Sequence, residues 1–346
     1  GPARGRWRFH VRRLQRAYPD ARYDDLIEAV RDMGERGRGF MADVEMRRDD
    51  RLTQLVAFVA GLAAPSLRID PKRCNAEQLE LVNVRALEPA LTRWRGCTSV
   101  EPPALVALHS DGPDAWATFV QWMAVLEEVP ALADTFDVLD DLVLALVQIG
   151  SHGAEAMADR LVARAMQLWA VLDERFPDAR CEWMDWANRP ALRLLVHHIT
   201  ADGSPDAAQT VDALRRLVMV RNPHDNHGFR TRLAAVLLRR GEHGQALALC
   251  ERYPDDFDAM KLAHVLALWH VERRGDATSL LAAALRANPV LANVMRARKC
   301  PKVGGGDFVA YGSVEEAQIA YAEQFDLWQA PQLRSMLDGV LRTIAR

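Results

Sequence analysis

Lysine is nearly missing from this chain. Only Lys72, Lys261, Lys299 and Lys302 occur, every other cation being arginine, and the formal net charge of -3 leaves no field that would draw nucleic acid or an anionic membrane onto the molecule. Cysteine is sparse as well: Cys74, Cys97, Cys181, Cys250 and Cys300 are odd in number and widely spaced, which argues against a disulfide framework or a zinc knuckle and fits a reducing, cytoplasmic setting. No stretch reaches the roughly 18 uninterrupted apolar residues of a membrane span, and the start lacks an apolar signal core. Gly1-Pro2 has the form of a protease-cleavage remnant. Strict polar and apolar alternation is nearly absent, which argues against half-buried strands. There is no Gly-x-Ser-x-Gly nucleophile elbow. Gly34-Glu35-Arg36-Gly37-Arg38-Gly39 lacks the Gly-Lys-Ser/Thr ending that grips phosphate and magnesium, so it reads as a loop.

What is present is apolar and helical. Hydrophobic residues make up 49% of 346 residues, enough for a large core, and a length above the roughly 250 residues of one compact core implies several domains or one solenoid. The prevalence of arginine, alanine and leucine matches bacterial GC-rich coding. Leu52, Leu55, Val56 and Val59 form a stripe that stops at Gly61. Residues 101–159 hold no lysine or arginine, yet Phe119, Val120, Met123 and Leu126 form one helical face and Leu139, Leu142, Val143, Leu146 and Ile149 another. A helix pair with its carboxylates, Asp137, Asp140 and Asp141 among them, turned outward is expected, either as a solvated face or as a docking surface for a basic partner.

The second half is periodic. Gly203, Gly241 and Gly275 fall between helical runs at separations of 38 and 34 residues, and Pro223, Pro254 and Pro289 follow the second helices in step. A period near 34 is that of helix-turn-helix repeats whose pairs bury their stripes only on one another. In one unit Phe229, Leu233, Val236 and Leu237 supply the first helix, and Ala246, Leu247, Leu249 and Cys250 the second, with Ala246 allowing close approach. The next runs from Phe257 through Leu262, Val265, Leu266 and Trp269, turns at Gly275-Asp276 and returns through Leu280, Leu281, Ala284 and Leu285. A fainter unit precedes these, Gly150-Ser151-His152-Gly153 matching Gly241-Glu242-His243-Gly244. Ser313-Val314-Glu315-Glu316 has capping-box form and opens a helix through Trp328, and a last helix covers residues 332–344.

Asn188-Arg189-Pro190, the run from Asn222-Pro223 to Phe229-Arg230, Tyr253-Pro254-Asp255-Asp256 and Asn288-Pro289 resemble the tetratricopeptide-like tail of a bacterial group, over residues 186–330. The resemblance implies an all-α solenoid of antiparallel helix pairs, a degenerate right-handed superhelix. The expected layout is an unassigned helical region over residues 1–130, repeats over 131–300, and a loop with capping helices over 301–346.

His224, Asp225 and His227 crowd one loop and admit a metal reading, although a helix cap by Asp225 or Asn226, with Gly228 permitting close packing, accounts for the same residues. Arg6, Arg8, Arg12 and Arg13, interleaved with Trp7, form the one concentrated basic segment, suited to RNA, to an acidic partner or to the chain's own acidic face, and equally readable as a solvated helix face. Neither catalytic residues nor a cofactor are expected. The leading functional expectation is a cytoplasmic, non-catalytic binder of another protein or peptide, an adaptor or an immunity-like inhibitor. The alternatives are an enzyme with its site within residues 40–200 and an RNA binder using the arginine-rich start.

Overall fold

The computed structural model describes residues 39, 41–43, 45–46, 49–97, 119–201, 208–254, 256–303 and 309–344. Arg6, Trp7, Arg8, Arg12, Arg13 and Gly203 lie outside the described residues. Every named element is a helix, and among the described residues extended pairing is limited to three isolated bridges. The chain forms two compact units, Gly1–Ala201 and Asp202–Arg346. That division falls inside the region expected to be one run of repeats, because the helices of residues 136–201 pack with those before them and the helices after residue 301 pack with those of residues 258–295.

In the first unit α1 (Asp50–Ala60) is capped by Asp49, whose carboxylate accepts from the Arg51 amide, and it buries Leu52 and Leu55. After it the chain runs irregularly through residues 62–84 to α2 (Glu88–Gly96). The Trp94 ring of α2 stacks on Trp122 of α3 (Phe119–Glu128) at 4.7 Å. Three helices then pack on one another: α4 (Phe136–Ile149), α5 (His152–Arg175) and α6 (Arg189–Ala201). The expected stripes are realised by Phe119, Met123 and Leu126 on α3 and by Leu139, Leu142, Val143 and Leu146 on α4, but Val120 stays 69% exposed because it falls on the outer side of α3. Gly150 takes φ 64 between α4 and α5. Gly153 answers to close approach, since a Cβ there would stand 3.1 Å from the Met46 amide nitrogen.

The second unit opens with α7 (Ala208–Arg215), prolonged by a π segment to Arg221. Two helix pairs follow, α8 (Arg230–Arg239) with α9 (His243–Arg252), and α10 (Asp258–His270) with α11 (Arg274–Ala287). Their reversals correspond bond for bond at an offset of 31 residues. Arg240, Gly241 and Glu242 donate to Val236, Leu238 and Leu237, just as Val271, Glu272 and Arg273 donate to Ala267, Trp269 and Leu268. The third residue of each has nearly the same backbone, φ -84 and ψ 51 at Glu242 and φ -84 and ψ 54 at Arg273. Gly241 takes φ 73, while Glu272 takes φ 63 with a full side chain. The expected turn at Gly275 is therefore displaced: Gly275 is the second residue of α11, and the reversal occurs three residues earlier.

Beyond each reversal a buried alanine, Ala246 or Ala277, lets the returning helix close on its partner. Asn222, Tyr253 and Asn288 leave their helices at φ -128, -126 and -125, each followed by proline, whose ring disfavours helical geometry in the residue before it. Pro289 both follows α11 and opens α12 (Pro289–Met295), where Asn288 caps the Val290 and Leu291 amides. Phe257 precedes α10 and is 42% exposed, so it does not belong to the buried stripe expected of it. α13 (Val314–Glu323) is capped by Ser313 as the capping-box pattern predicts, but Glu316 turns to the Gly312 and Asp258 amides and the helix stops well short of Trp328. α14 (Pro331–Ile344) packs on α11, and α13 packs on α10.

Ala246→Trp will lower the melting temperature, overpacking of such a contact costing about 1 to 3 kcal/mol. Gly241→Ala will destabilise and Glu272→Gly will stabilise, each by about 1 kcal/mol, since only glycine occupies left-handed backbone without strain. Denaturant titration of the three variants checks the opposite signs.

Candidate functional site

The heptad-like spacing of α14 gives it two faces. Leu333, Leu337 and Leu341 are buried against the unit. On the other side Pro331, Gln332, Ser335, Met336, Gly339, Val340 and Thr343 recur at steps of three and four and line an open groove of about 750 Å³. The facing wall is Trp269 at the end of α10 with Arg274, Thr278 and Ala282 of α11. Ala277, Leu281 and Leu285 of α11 point into the core, so Thr278 and Ala282 are left on the groove side.

Floor and rim differ in character. Trp269, Ala282, Met336 and Val340 offer carbon surface, whereas Gln332, Ser335, Thr343 and Thr278 are exposed hydroxyl and amide groups. Gly339 widens the groove, since a Cβ added there would meet nothing within 4 Å. Arg274 holds its guanidinium 4.9 Å from the Trp269 ring centroid and pairs with Glu272 at 2.9 Å on the surface. It is the one ionisable side chain in the lining, and an arginine stays protonated. The groove thus presents shape, apolar area, hydrogen-bonding groups and one fixed positive charge, which are means of binding rather than of proton transfer.

The residues singled out by the sequence lie elsewhere. In the His224 to His227 loop, Asp225 takes φ 46 and its carboxylate accepts from the Phe229 and Arg230 amides at 2.9 and 2.8 Å, as the cap reading expects. The Arg230 guanidinium ties Asp225 to Asp256. Gly228 serves a left-handed turn at φ 73, and not the close packing expected, since nothing lies within 4 Å of its would-be Cβ. His224 is exposed and His227 Nδ1 lies 3.3 Å from Asn222 Nδ2. Among the described residues no group of three or more His, Cys, Asp or Glu side chains is placed to hold a metal ion. Pro254 is exposed after α9, and Pro223 is buried with its carbonyl accepting from the Tyr253 hydroxyl.

The acidic face of α4 is not the outward surface expected. Asp140 is 2% exposed and is bound by Arg193 of α6, Asp141 accepts from Trp94 Nε1 at 2.8 Å, and Asp137 accepts from Asn83 Nδ2 at 2.7 Å. Asp134 pairs with Arg164 of α5 at 2.5 Å. Asp137, Asp140 and Asp141 bind α4 to its neighbours, and Asp134 ties the turn before α4 to α5, because the unit closes around α4 and a buried charge needs a donor. Burial pushes Asp140 up to about 7 against the pull of Arg193, and pushes Asp141 up to about 6 against the Trp94 hydrogen bond.

Comparison with protein-family models, with curated proteins and with solved structures finds no match to this chain. Trp269 and Arg274 were visible in the sequence only as members of a helix pair, and Met336 and Gly339 only as parts of a terminal helix. The one signal was the two-faced spacing of α14, whose second face has too many polar residues to be core.

Because its folded-state pKa is raised, Asp140 binds a proton in the folded state over a range where the unfolded chain has lost it. Stability falls as pH rises from the ordinary value of 3.8 through about 7. Denaturant melts at pH 5 and pH 8 will show the chain more stable at pH 5, and Asp140→Asn will reduce that difference.

Proposed function

We propose that this chain is a non-catalytic protein-binding module whose second unit receives a helical segment of another protein in the groove between α11 and α14. The observation that carries the reading is the groove itself: an apolar floor, a polar rim and one fixed cation, with no titratable group for chemistry in its lining. The 14 residues of α14, nearly four turns at about 3.6 residues per turn, match a guest helix of similar length. Such a guest would place apolar residues at intervals of three, four and seven over Met336, Val340 and Trp269, with an acidic residue toward Arg274. Tryptophan, arginine and methionine are the side chains enriched at interface centres.

The two corresponding reversals and the X-Pro helix ends support the tetratricopeptide-like reading, in which helix pairs stack and expose an extended surface. On that reading α13 and α14 prolong the stack, and the groove is the surface between its last layers. An adaptor and an inhibitor of a partner protein use such a surface in the same physical way, by many moderate contacts.

Gly339 supplies the test, because the space before it is open. Gly339→Ala will leave binding in place and raise stability by about 0.5 to 1 kcal/mol. Gly339→Trp will fill the groove without entering the core. A helix-bearing protein that co-purifies with the wild type and Gly339→Ala but not with Gly339→Trp, with neither variant melting below the wild type, supports the proposal; equal recovery by all three overturns it.

A further inference from the structure

In the first unit, the chain between α5 and α6 exposes two large apolar side chains separated in sequence by one residue. Met184 is 70% exposed and Trp186 is 77% exposed, far beyond what a tryptophan ordinarily leaves to water. They are firmly held. Asn188, fully buried, donates to the Leu79 and Glu182 carbonyls at 2.9 and 3.2 Å and accepts from the Leu81 amide at 3.0 Å. Asp185 caps the short turn Trp186–Asn188 through the Ala187 amide, and Arg180 exchanges backbone bonds with Glu77 and Leu79. A loop fixed at its base in this way presents its side chains without having to order them on binding.

Arg189, the first residue of α6, completes the arrangement. Its guanidinium carbon lies 3.7 Å from the centroid of the Trp186 ring and 5.1 Å from that of Trp183, and its Nε donates to the Trp183 carbonyl at 3.0 Å. Among the described residues no carboxylate pairs with it, and its two terminal nitrogens have no acceptor. The guanidinium is therefore held in orientation by an indole face and a backbone oxygen while its outer fork of donors is unspent. This fork matches the two oxygens of a carboxylate.

We infer that Arg189, Trp186 and Met184 form a second binding site, which takes an acidic residue flanked by large apolar residues in a peptide segment: the carboxylate on the Arg189 fork, the apolar side chains on Trp186 and Met184. Charge selects this guest over a nucleic acid strand. Within residues 178–189 Asp178, Glu182 and Asp185 outnumber Arg180 and Arg189, so the segment has no excess of positive charge to hold a run of phosphates, whereas a single carboxylate needs only the one fork. The site is on the first unit and stands independently of the groove between α11 and α14.

The test uses the full chain and two blocked tetrapeptides, acetyl-Leu-Glu-Trp-Leu-amide and its glutamine counterpart, followed through the indole and guanidinium Nε–H signals in ¹H–¹⁵N spectra. The glutamate peptide will shift the Trp186 and Arg189 signals and bind at least about tenfold more tightly than the glutamine peptide. Arg189→Gln will abolish that preference, and Trp186→Ala, which removes both the exposed ring and the face that orients Arg189, will weaken both peptides. Equal binding of the two peptides overturns the proposal, as does the absence of any shift at millimolar peptide. Shifts of the same signals by oligothymidylate and not by peptide overturn it in favour of base stacking.

Discussion

Within the second unit everything rests on reversing a helix within three residues so that the returning helix lies against the outgoing one. Such a reversal needs one residue in left-handed backbone, at a cost of about 1 to 2 kcal/mol for any residue with a side chain. At 241 the residue is glycine; at 272 it is glutamate, and the strain is outweighed by the helices on either side. α10 alone buries Ala259, Met260, Leu262, Ala263, Val265, Leu266, Ala267 and Leu268. With each side chain of this kind contributing on the order of 1 to 3 kcal/mol on burial, the conformation of one turn residue is dictated by its surroundings. The groove between α11 and α14 exists because that turn sends α11 back along α10 and leaves its outer side to meet α14.

Polar contacts do comparable work in the first unit, at places where regular structure is missing. Residues 62–84 have few hydrogen bonds of a regular ladder, and Asn188 supplies three to backbone groups that would otherwise be buried unpaired. This polar clamp also determines where Met184 and Trp186 come to the surface. Exposed tryptophan on a rigid support and a guanidinium with a free fork are two expressions of one local architecture.

The helical content was legible from spacing, and so were the X-Pro helix ends, the Asp225 cap and the Ser313 cap, because each of these depends on residues within one or two turns of one another. The reversal at Glu272 was not. A glycine three residues later, Gly275, gave a period of 34 that matched the expectation, while the structure turns at 31, where local preference opposes the conformation adopted. The acidic stretch misled for a related reason: with no cation in residues 101–159, its carboxylates had no visible partner, and Arg164 and Arg193 reach them only after the chain has folded back on α4. The surfaces on which function is proposed were the least legible, since Trp269, Met336 and Gly339 are far apart along the chain and belong to one groove only through packing.

By itself the sequence determined that this chain would be helical, that the helices would be amphipathic and short, and where several would begin and end, since those outcomes follow from side-chain period, capping oxygens and the geometry of proline. Tertiary structure alone decided which carboxylates would be buried, which residue would bear the left-handed turn, and which apolar side chains would be left facing water. The reason is one of range: a helix is specified by neighbours three or four residues away, whereas burial, charge pairing and the shape of a groove depend on which distant segments the core brings together.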